Sequence, residues 1–121
     1  MRCVRLTDGK VMWETDGSSP VVGKVERNQL TGQFQWIDTD KIAPWPFYGR
    51  GSAILSDNKF IVLGERGTLA IVKVDANKFS EVCRTYFPQI DYPAWAAPVL
   101  AHKKLYLRSE SHLICLDFAK K

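Results

Sequence analysis

The stretch "GSAILSDNKFIVLGERGTLAIVKV", Gly51–Val74, decides the fold, because a shorter copy of it, "AAPVLAHKKLYLRSESHLICLDF", follows at Ala96–Phe118. The apolar runs of the two copies align at an offset of 45 residues, which falls to 44 after the next turn, where Leu69 meets Leu113. Each copy is a series of short apolar runs separated by polar turns, which is typical of strands joined by tight hairpins. The sequence therefore predicts an all-β meander without helices.

A third, partial copy opens the chain. The segment "RCVRLTDGKVMWE", Arg2–Glu14, aligns with the close of the second copy, with Cys3 on Cys115, and continues into a strand ending at Trp13. A period of about 45 residues built from four short strands is the spacing of a β-propeller blade, which cannot bury both faces alone and stacks on its neighbours. The opening segment has the character of the outer strand that the last copy lacks.

The order of these motifs resembles that of the pyrroloquinoline-quinone-like (PQQ-like) β-propeller repeat proteins, a group similar to quinoprotein alcohol dehydrogenases. The resemblance covers residues 2–15 and 49–118 and implies the C-terminal blades of such a protein. It also implies a location in the periplasm or elsewhere outside the cytoplasm. True quinoprotein dehydrogenases hold their quinone and a calcium ion near a disulfide between adjacent cysteines, and no Cys-Cys pair occurs in this sequence.

The resulting fold prediction is an all-β, partial β-propeller of two to two and a half four-stranded antiparallel blades. It forms a single domain, 1–121, with these parts: 1–15 ends one blade, 16–50 is an insertion and linker, 51–87 is a full blade, and 88–121 is an incomplete last blade.

The insertion departs from the repeat. The stretches "VVGKVERN" and "GQFQWIDT" alternate in part and are separated by "QLTG", which predicts an extra hairpin. The following "APWPFYGRG" contains two prolines and three aromatic residues, which predicts a rigid aromatic loop. Either Trp45, Phe47 and Tyr48 pack between blades, or they form an exposed rim with Arg50 that binds a protein partner or a sugar.

Catalytic motifs are weak. Ser109, Ser111, His112 and Asp117 are residue types that hydrolases use, but the sequence has no G-x-S-x-G, and "RSESH" occupies the turn that "GERGT" occupies in the other copy. His102 also falls in a predicted hairpin turn. The sequence thus predicts no catalytic, cofactor-binding or metal-binding residue and no cofactor, and it favours a non-enzymatic role while leaving an enzyme open.

Isolated cysteines and tryptophans are interpreted as packing residues. Cys3, Cys83 and Cys115 lie on separate predicted strands, where small buried side chains are the first expectation and a disulfide or a reactive thiol is the alternative. Trp13 and Trp95 lie at opposite ends of predicted blades and are expected to pack between sheets.

Composition limits the class of protein. With 121 residues, 45% of them hydrophobic and 12% aromatic, the chain is expected to form one globular domain. It has neither an apolar run long enough for a membrane span nor a signal-peptide pattern at its start. The formal charge of +4 comes from dispersed Lys and Arg, which indicates a solvated surface and no nucleic-acid site.

Three functions follow from these observations. The first is a non-catalytic PQQ-like scaffold or protein-binding module of the cell envelope. The second is the C-terminal fragment of a quinoprotein oxidoreductase whose cofactor site lies outside this chain, and the third is carbohydrate binding through the aromatic loop. A chain of this length cannot close a propeller, so the expected partners are other protein chains, including further copies that pair through open blade edges.

Overall fold

The computed structural model describes residues 1–119, which form eleven strands in four small antiparallel sheets and contain no α-helix. The strands are β1 (Arg2–Val4), β2 (Val11–Glu14), β3 (Val25–Arg27), β4 (Phe34–Trp36), β5 (Ser52–Ser56), β6 (Lys59–Leu63), β7 (Thr68–Lys73), β8 (Glu81–Tyr86), β9 (Val99–Ala101), β10 (Lys104–Arg108) and β11 (Leu113–Asp117). A single 3-10 turn, Val22–Lys24, precedes β3. The all-β, antiparallel prediction is confirmed, and no sheet within residues 1–119 closes on itself.

Two of the sheets are meanders. Strands β5 to β8 form a four-stranded sheet in chain order, and β9 to β11 form a three-stranded one. The first hairpin of each has a two-residue turn in which both residues have positive φ: 46° and 55° at Asp57 and Asn58, and 50° and 61° at His102 and Lys103. Such turns twist with the strands they join, which makes them the favoured connection of tight hairpins.

The two meanders pair their strands in the same register. Residue pairs in β9–β11 follow those in β5–β7 at the offsets of 45 and 44 residues seen in the sequence. The corresponding pairs are Ile54–Ile61 and Val99–Tyr106, then Phe60–Val72 and Leu105–Leu116, then Leu63–Leu69 and Arg108–Leu113. The one-residue difference lies in the turn between the second and third strands, so it shifts no side chain to the opposite face.

The two sheets stack through a shared apolar core. The face of the β5–β8 sheet that carries Ile61 and Leu63 is called its back face, and the opposite face is its front face. In the β9–β11 sheet the matching positions are Tyr106 and Arg108, so the face that carries them is the back face and the opposite one is the front face. The inter-sheet core consists of Ile61, Leu63, Leu69, Ile90, Ala94, Leu105 and Leu107. Since Leu105 and Leu107 correspond to Phe60 and Val62 on the front face, the back of one sheet contacts the front of the next.

A second core lies on the front face of the β5–β8 sheet. It contains Tyr48, Val62, Ala70 and Val72, with Phe60 and Phe79 packed at its margin. Trp13 from β2 covers Phe79 with ring centroids 5.6 Å apart and donates its indole hydrogen to the Asp75 carbonyl at 2.9 Å. The β1–β2 hairpin therefore packs on the same front face as Tyr48.

The insertion contains a hairpin. Strands β3 and β4 pair antiparallel, with Val25 opposite Trp36. Backbone hydrogen bonds then tie the segment to its surroundings: the Ala43 amide donates to the Phe34 carbonyl at 2.8 Å, and the Ser19 amide donates to the Pro46 carbonyl at 2.9 Å. The aromatic loop, residues 43–48, is held against the β5–β8 sheet by the Glu65 amide, which donates to the Tyr48 carbonyl at 3.1 Å, and by the Thr68 hydroxyl, which donates to the Trp45 carbonyl at 3.0 Å.

Candidate functional site

The aromatic loop divides into two environments. Trp45 and Phe47 are partly buried and form an edge-to-face group with Phe34 of β4, with ring centroids 5.1 to 6.5 Å apart. Aromatic pairs in this geometry add to the stability that burial gives. These two rings thus pack inside the protein against the insertion hairpin.

Tyr48 points away from that group and is buried, with 3% of its surface exposed. Its hydroxyl donates to Glu81, and Arg84 closes the network with hydrogen bonds to both Glu81 carboxylate oxygens at 3.0 and 2.6 Å. Arg84 also donates to the Gly17 carbonyl at 2.6 Å. The Tyr48–Glu81–Arg84 network therefore clamps both ends of the insertion to β8.

Burial and hydrogen bonding shift the protonation of this network. Burial, followed by the hydrogen bond to Glu81, raises the pKa of Tyr48, so its hydroxyl keeps its proton. Burial alone would raise the pKa of Glu81, but the hydrogen bonds from Arg84 and Tyr48 outweigh it and the pKa is lowered. The network is a structural clamp with an ionised carboxylate at its centre.

Arg50 does not join the other three candidate residues. It is exposed and borders a shallow depression shared with Trp95. Trp95 itself is 52% exposed, so the prediction that it packs between sheets is wrong. The inter-sheet position beside it is filled by Ala94, which leaves the Trp95 ring on the surface against Tyr92 at 5.9 Å. Trp45, Phe47, Tyr48 and Arg50 are therefore not one exposed rim.

Sequence reasoning missed Arg66, which lies in the turn between β6 and β7. Its guanidinium carbon is 4.3 Å from the Trp45 ring centroid and 4.5 Å from that of Tyr92. These two cation–π contacts join the aromatic loop to the segment after β8. A charged residue in a polar turn gives no signal of such contacts, because both rings are far away in the sequence.

The Ser/His/Asp group lacks the geometry of a catalytic triad. Asp117, the acid considered from the sequence, lies at the end of β11, where its carboxylate accepts from the Ala119 amide at 2.8 Å. Ser111 instead donates to Asp91, in the segment after β8, at 2.7 Å and lies 2.7 Å from His112 Nδ1, so the serine sits between this acid and the histidine. A triad needs the histidine in the middle, where it takes the serine proton and is oriented by the acid. The side chains of Ser111, His112 and Asp91 are exposed, and their contacts join the turn between β10 and β11 to the segment after β8.

The cysteines differ from expectation. All three are free; Cys3 is partly buried, while Cys83 and Cys115 are exposed, so the prediction of buried side chains is wrong for these two. Cys83 pairs with Ile71, and directly opposed residues share a face, so Cys83 lies on the back of the β5–β8 sheet. Its exposure follows from the next sheet having three strands, which leaves the back of β8 uncovered.

Neither a metal site nor a membrane-crossing helix is found in the part of the chain that the structure describes. No three His, Cys, Asp or Glu side chains of residues 1–119 converge as metal ligands do. The same residues include no helix with the length and apolar character that crossing a membrane requires.

Uncovered apolar side chains lie at the two ends of the stack. At one end, Leu113 on the back of β9–β11 is 68% exposed, whereas its counterpart Leu69 is 5% exposed. At the other end, the front of β5–β6 borders an open cavity of about 390 Å³, which Trp13, Phe60 and Val74 help to line. These two surfaces are the candidate binding surfaces of the protein.

Comparisons with protein-family models, curated proteins and solved structures found no match to this chain.

Proposed function

We propose that this chain is a non-catalytic, blade-built scaffold that binds other protein chains through the back face of its β9–β11 sheet. The observation that carries the proposal is the contrast between corresponding residues on two sheets of the same register. Ile61 and Leu69 are buried by a following sheet, while Tyr106 and Leu113 at the matching positions have no such cover within residues 1–119.

Two features support a protein ligand for this face. Its strand surface carries Val99, Tyr106 and Leu113, with the charged Arg108 opposite Leu113, and exposed apolar side chains grouped in this way mark sites of protein association. Beside it runs the outer edge of β11, whose backbone groups pair with no strand in the described residues. An open edge of this kind accepts an added strand from another chain.

Back-to-front stacking of meanders in one register supports the PQQ-like propeller architecture as part of the proposal. In such an architecture a blade is a unit that needs a neighbour on each face. A location in the cell envelope rests on the sequence resemblance alone. The burial of Tyr48 and the packing of Trp45 and Phe47 remove the continuous aromatic platform on which a sugar would stack, so we do not favour carbohydrate binding.

Site-specific photo-crosslinking tests this function. With a photo-reactive phenylalanine analogue in place of Leu113 in the full chain, we expect protein adducts in the native host after irradiation. The same probe at Leu30, which is 97% exposed in the β3–β4 turn, should give far fewer. Mass spectrometry of the adducts identifies the partner. Equal adduct yields at the two positions, or none at Leu113, would contradict a protein-binding back face.

A further inference from the structure

Three surfaces in the described residues lack the cover that their counterparts have. The back of β9–β11 is open around Leu113, and the back of β8 is open at Cys83. The front of β5–β6 is open as well: Leu55 is 64% exposed and Ala53 is exposed, although its counterpart Pro98 on β9–β11 is fully buried. The last surface borders the 390 Å³ cavity beside the β1–β2 hairpin.

The inter-sheet core shows what fits these surfaces. There the back of a meander packs on the front of the next, with Leu105 and Leu107 in one buried cluster with Ile61 and Leu69. The open back of β9–β11 corresponds to the back face in this internal contact, and the open front of β5–β6 corresponds to the front face. The front is open at Ala53, Leu55 and Phe60 only, because Val62 and Val72 are already buried in one cluster with Tyr48. The chain thus carries the back half of its internal interface and the β5 side of the front half.

We propose that the partner of this chain is a second copy, joined head to tail, with the back of β9–β11 in one copy on the front of β5–β8 in the next. This inference deepens the proposed function and rests on it. Strands β9 and β10 of the first copy fill the cavity beside β1–β2 of the second. The association repeats the internal stacking over β5 and the start of β6, while the cluster of Tyr48, Val62 and Val72 stays as it is in the single chain.

The β1–β2 hairpin fixes how the outer strands meet. By sequence, β1 aligns with β11, Cys3 falling on Cys115, and the structure agrees in orientation: Cys3 lies opposite Trp13, which faces the front of β5–β8. A β11 strand from another copy therefore fits the place of β1. It pairs there with β2, which becomes the fourth strand of the β9–β11 sheet.

This exchange also accounts for the open back of β8. In the internal stack, β11 is the outermost strand of its sheet, and nothing in residues 1–119 lies beyond it. With β2 of the next copy paired there, the added strand covers the Cys83 side of β8. The described residues of each copy then contribute two four-stranded sheets to the assembly.

Charge-insertion variants and their mixture test the interface. Leu113→Lys on the back face and Leu55→Lys on the front face alter side chains that are exposed in the isolated chain, so neither should disturb folding. By light scattering, wild-type protein should assemble, and each variant alone should lose self-association by about tenfold or more, because an unpaired charge is buried at the contact. An equimolar mixture of the two should recover a dimer, since each variant keeps the face that the other lacks.

Controls make the outcome decisive. Leu30→Lys places the same charge on the insertion hairpin and should assemble like wild type, and circular dichroism should show all four proteins equally folded. A wild-type monomer overturns the second-copy proposal. So does a dimer that survives Leu55→Lys but not Leu113→Lys, because that pattern means a symmetric back-to-back contact.

Strand replacement has its own test. Arg5→Pro removes the amide that donates to the Lys10 carbonyl at 2.9 Å directly after β1, and so weakens the pairing of this three-residue strand with β2. Because β1 competes with β11 for β2, this variant should assemble more tightly than wild type. Unchanged or weaker assembly would show that β1 stays in place and that the exchange does not occur.

The photo-crosslink separates this inference from the proposed function. An adduct at Leu113 that contains a peptide of the same chain from β5 or β6 supports the second copy. An adduct with a different protein keeps the proposed function and overturns the second copy, and the absence of adducts overturns both.

Discussion

Leu105→Ala is expected to lower the free energy of unfolding by about 2 to 5 kcal/mol, the range for truncating a fully buried leucine. Leu105 lies on the front of β10 with 0% of its surface exposed, in contact with the inter-sheet core. The loss combines the apolar surface no longer buried with the cavity left between two rigid sheets, which cannot close without breaking strand pairing. Chemical denaturation followed by tryptophan fluorescence measures it.

The matched control is Leu30→Ala, which removes the same atoms from an exposed turn and should change stability by less than about 0.5 kcal/mol. If the two variants had similar stabilities, the β5–β8 and β9–β11 sheets would not share a core in solution. The stacking on which both proposals depend would then be absent.

Arg84→Met is expected to cost roughly 2 to 4 kcal/mol, somewhat less than for a fully buried ion pair because the side chains keep some solvent contact. The substitution keeps an aliphatic stem but leaves the Glu81 carboxylate with one partner and the Gly17 carbonyl with none from Arg84. Arg2→Met is the control, since Arg2 and Glu14 form a pair of nearly equal length, 2.7 Å, in an exposed position. It should cost less than about 1 kcal/mol.

The same pair gives a pH dependence with a definite sign. Because the folded-state pKa of Glu81 is below its unfolded value, the stability that ionised Glu81 contributes is present above that unfolded value and is lost as pH falls through the folded one. The gap in unfolding free energy between wild type and Arg84→Met should hold at neutral pH and narrow below about pH 4.5, the ordinary glutamate value. A gap that widens in acid would contradict an ionised Glu81 at the centre of the clamp.

Strand positions and register could be predicted from the sequence because they depend on local alternation and on a repeat that compares the chain with itself. Ile54 and Val99 occupy equivalent places for the reason that the two-residue turns after them are alike. The extra hairpin at β3–β4 follows from the same local pattern. Where a side chain's neighbours are close in sequence, the alternation of apolar and polar residues is enough to predict its place on a strand.

The burial of the side chains in the aromatic loop could not be predicted in this way. Tyr48 is buried because Glu81 receives its hydroxyl, and Trp45 is held because Arg66 stacks on it, and both partners are more than 20 residues away. Trp95 and Cys83 look like core residues by type, but Trp95 is exposed because Ala94 fills the inter-sheet position beside it, and Cys83 is exposed because of the number of strands in the neighbouring sheet. Composition and spacing carry no information on that number.

The single-residue difference between the two meanders has a consequence for how such a chain changes over generations. The difference sits in the turn before Leu69 and Leu113, and the strands on either side keep their pairing. Duplication of one unit of about 45 residues would therefore produce a second sheet whose front face already fits the back face of the original sheet. Small insertions and deletions would accumulate in the turns, where they leave the hydrogen bonds between strands intact. A chain of this architecture can therefore lengthen by duplication, because each added sheet packs through the same interface as the last.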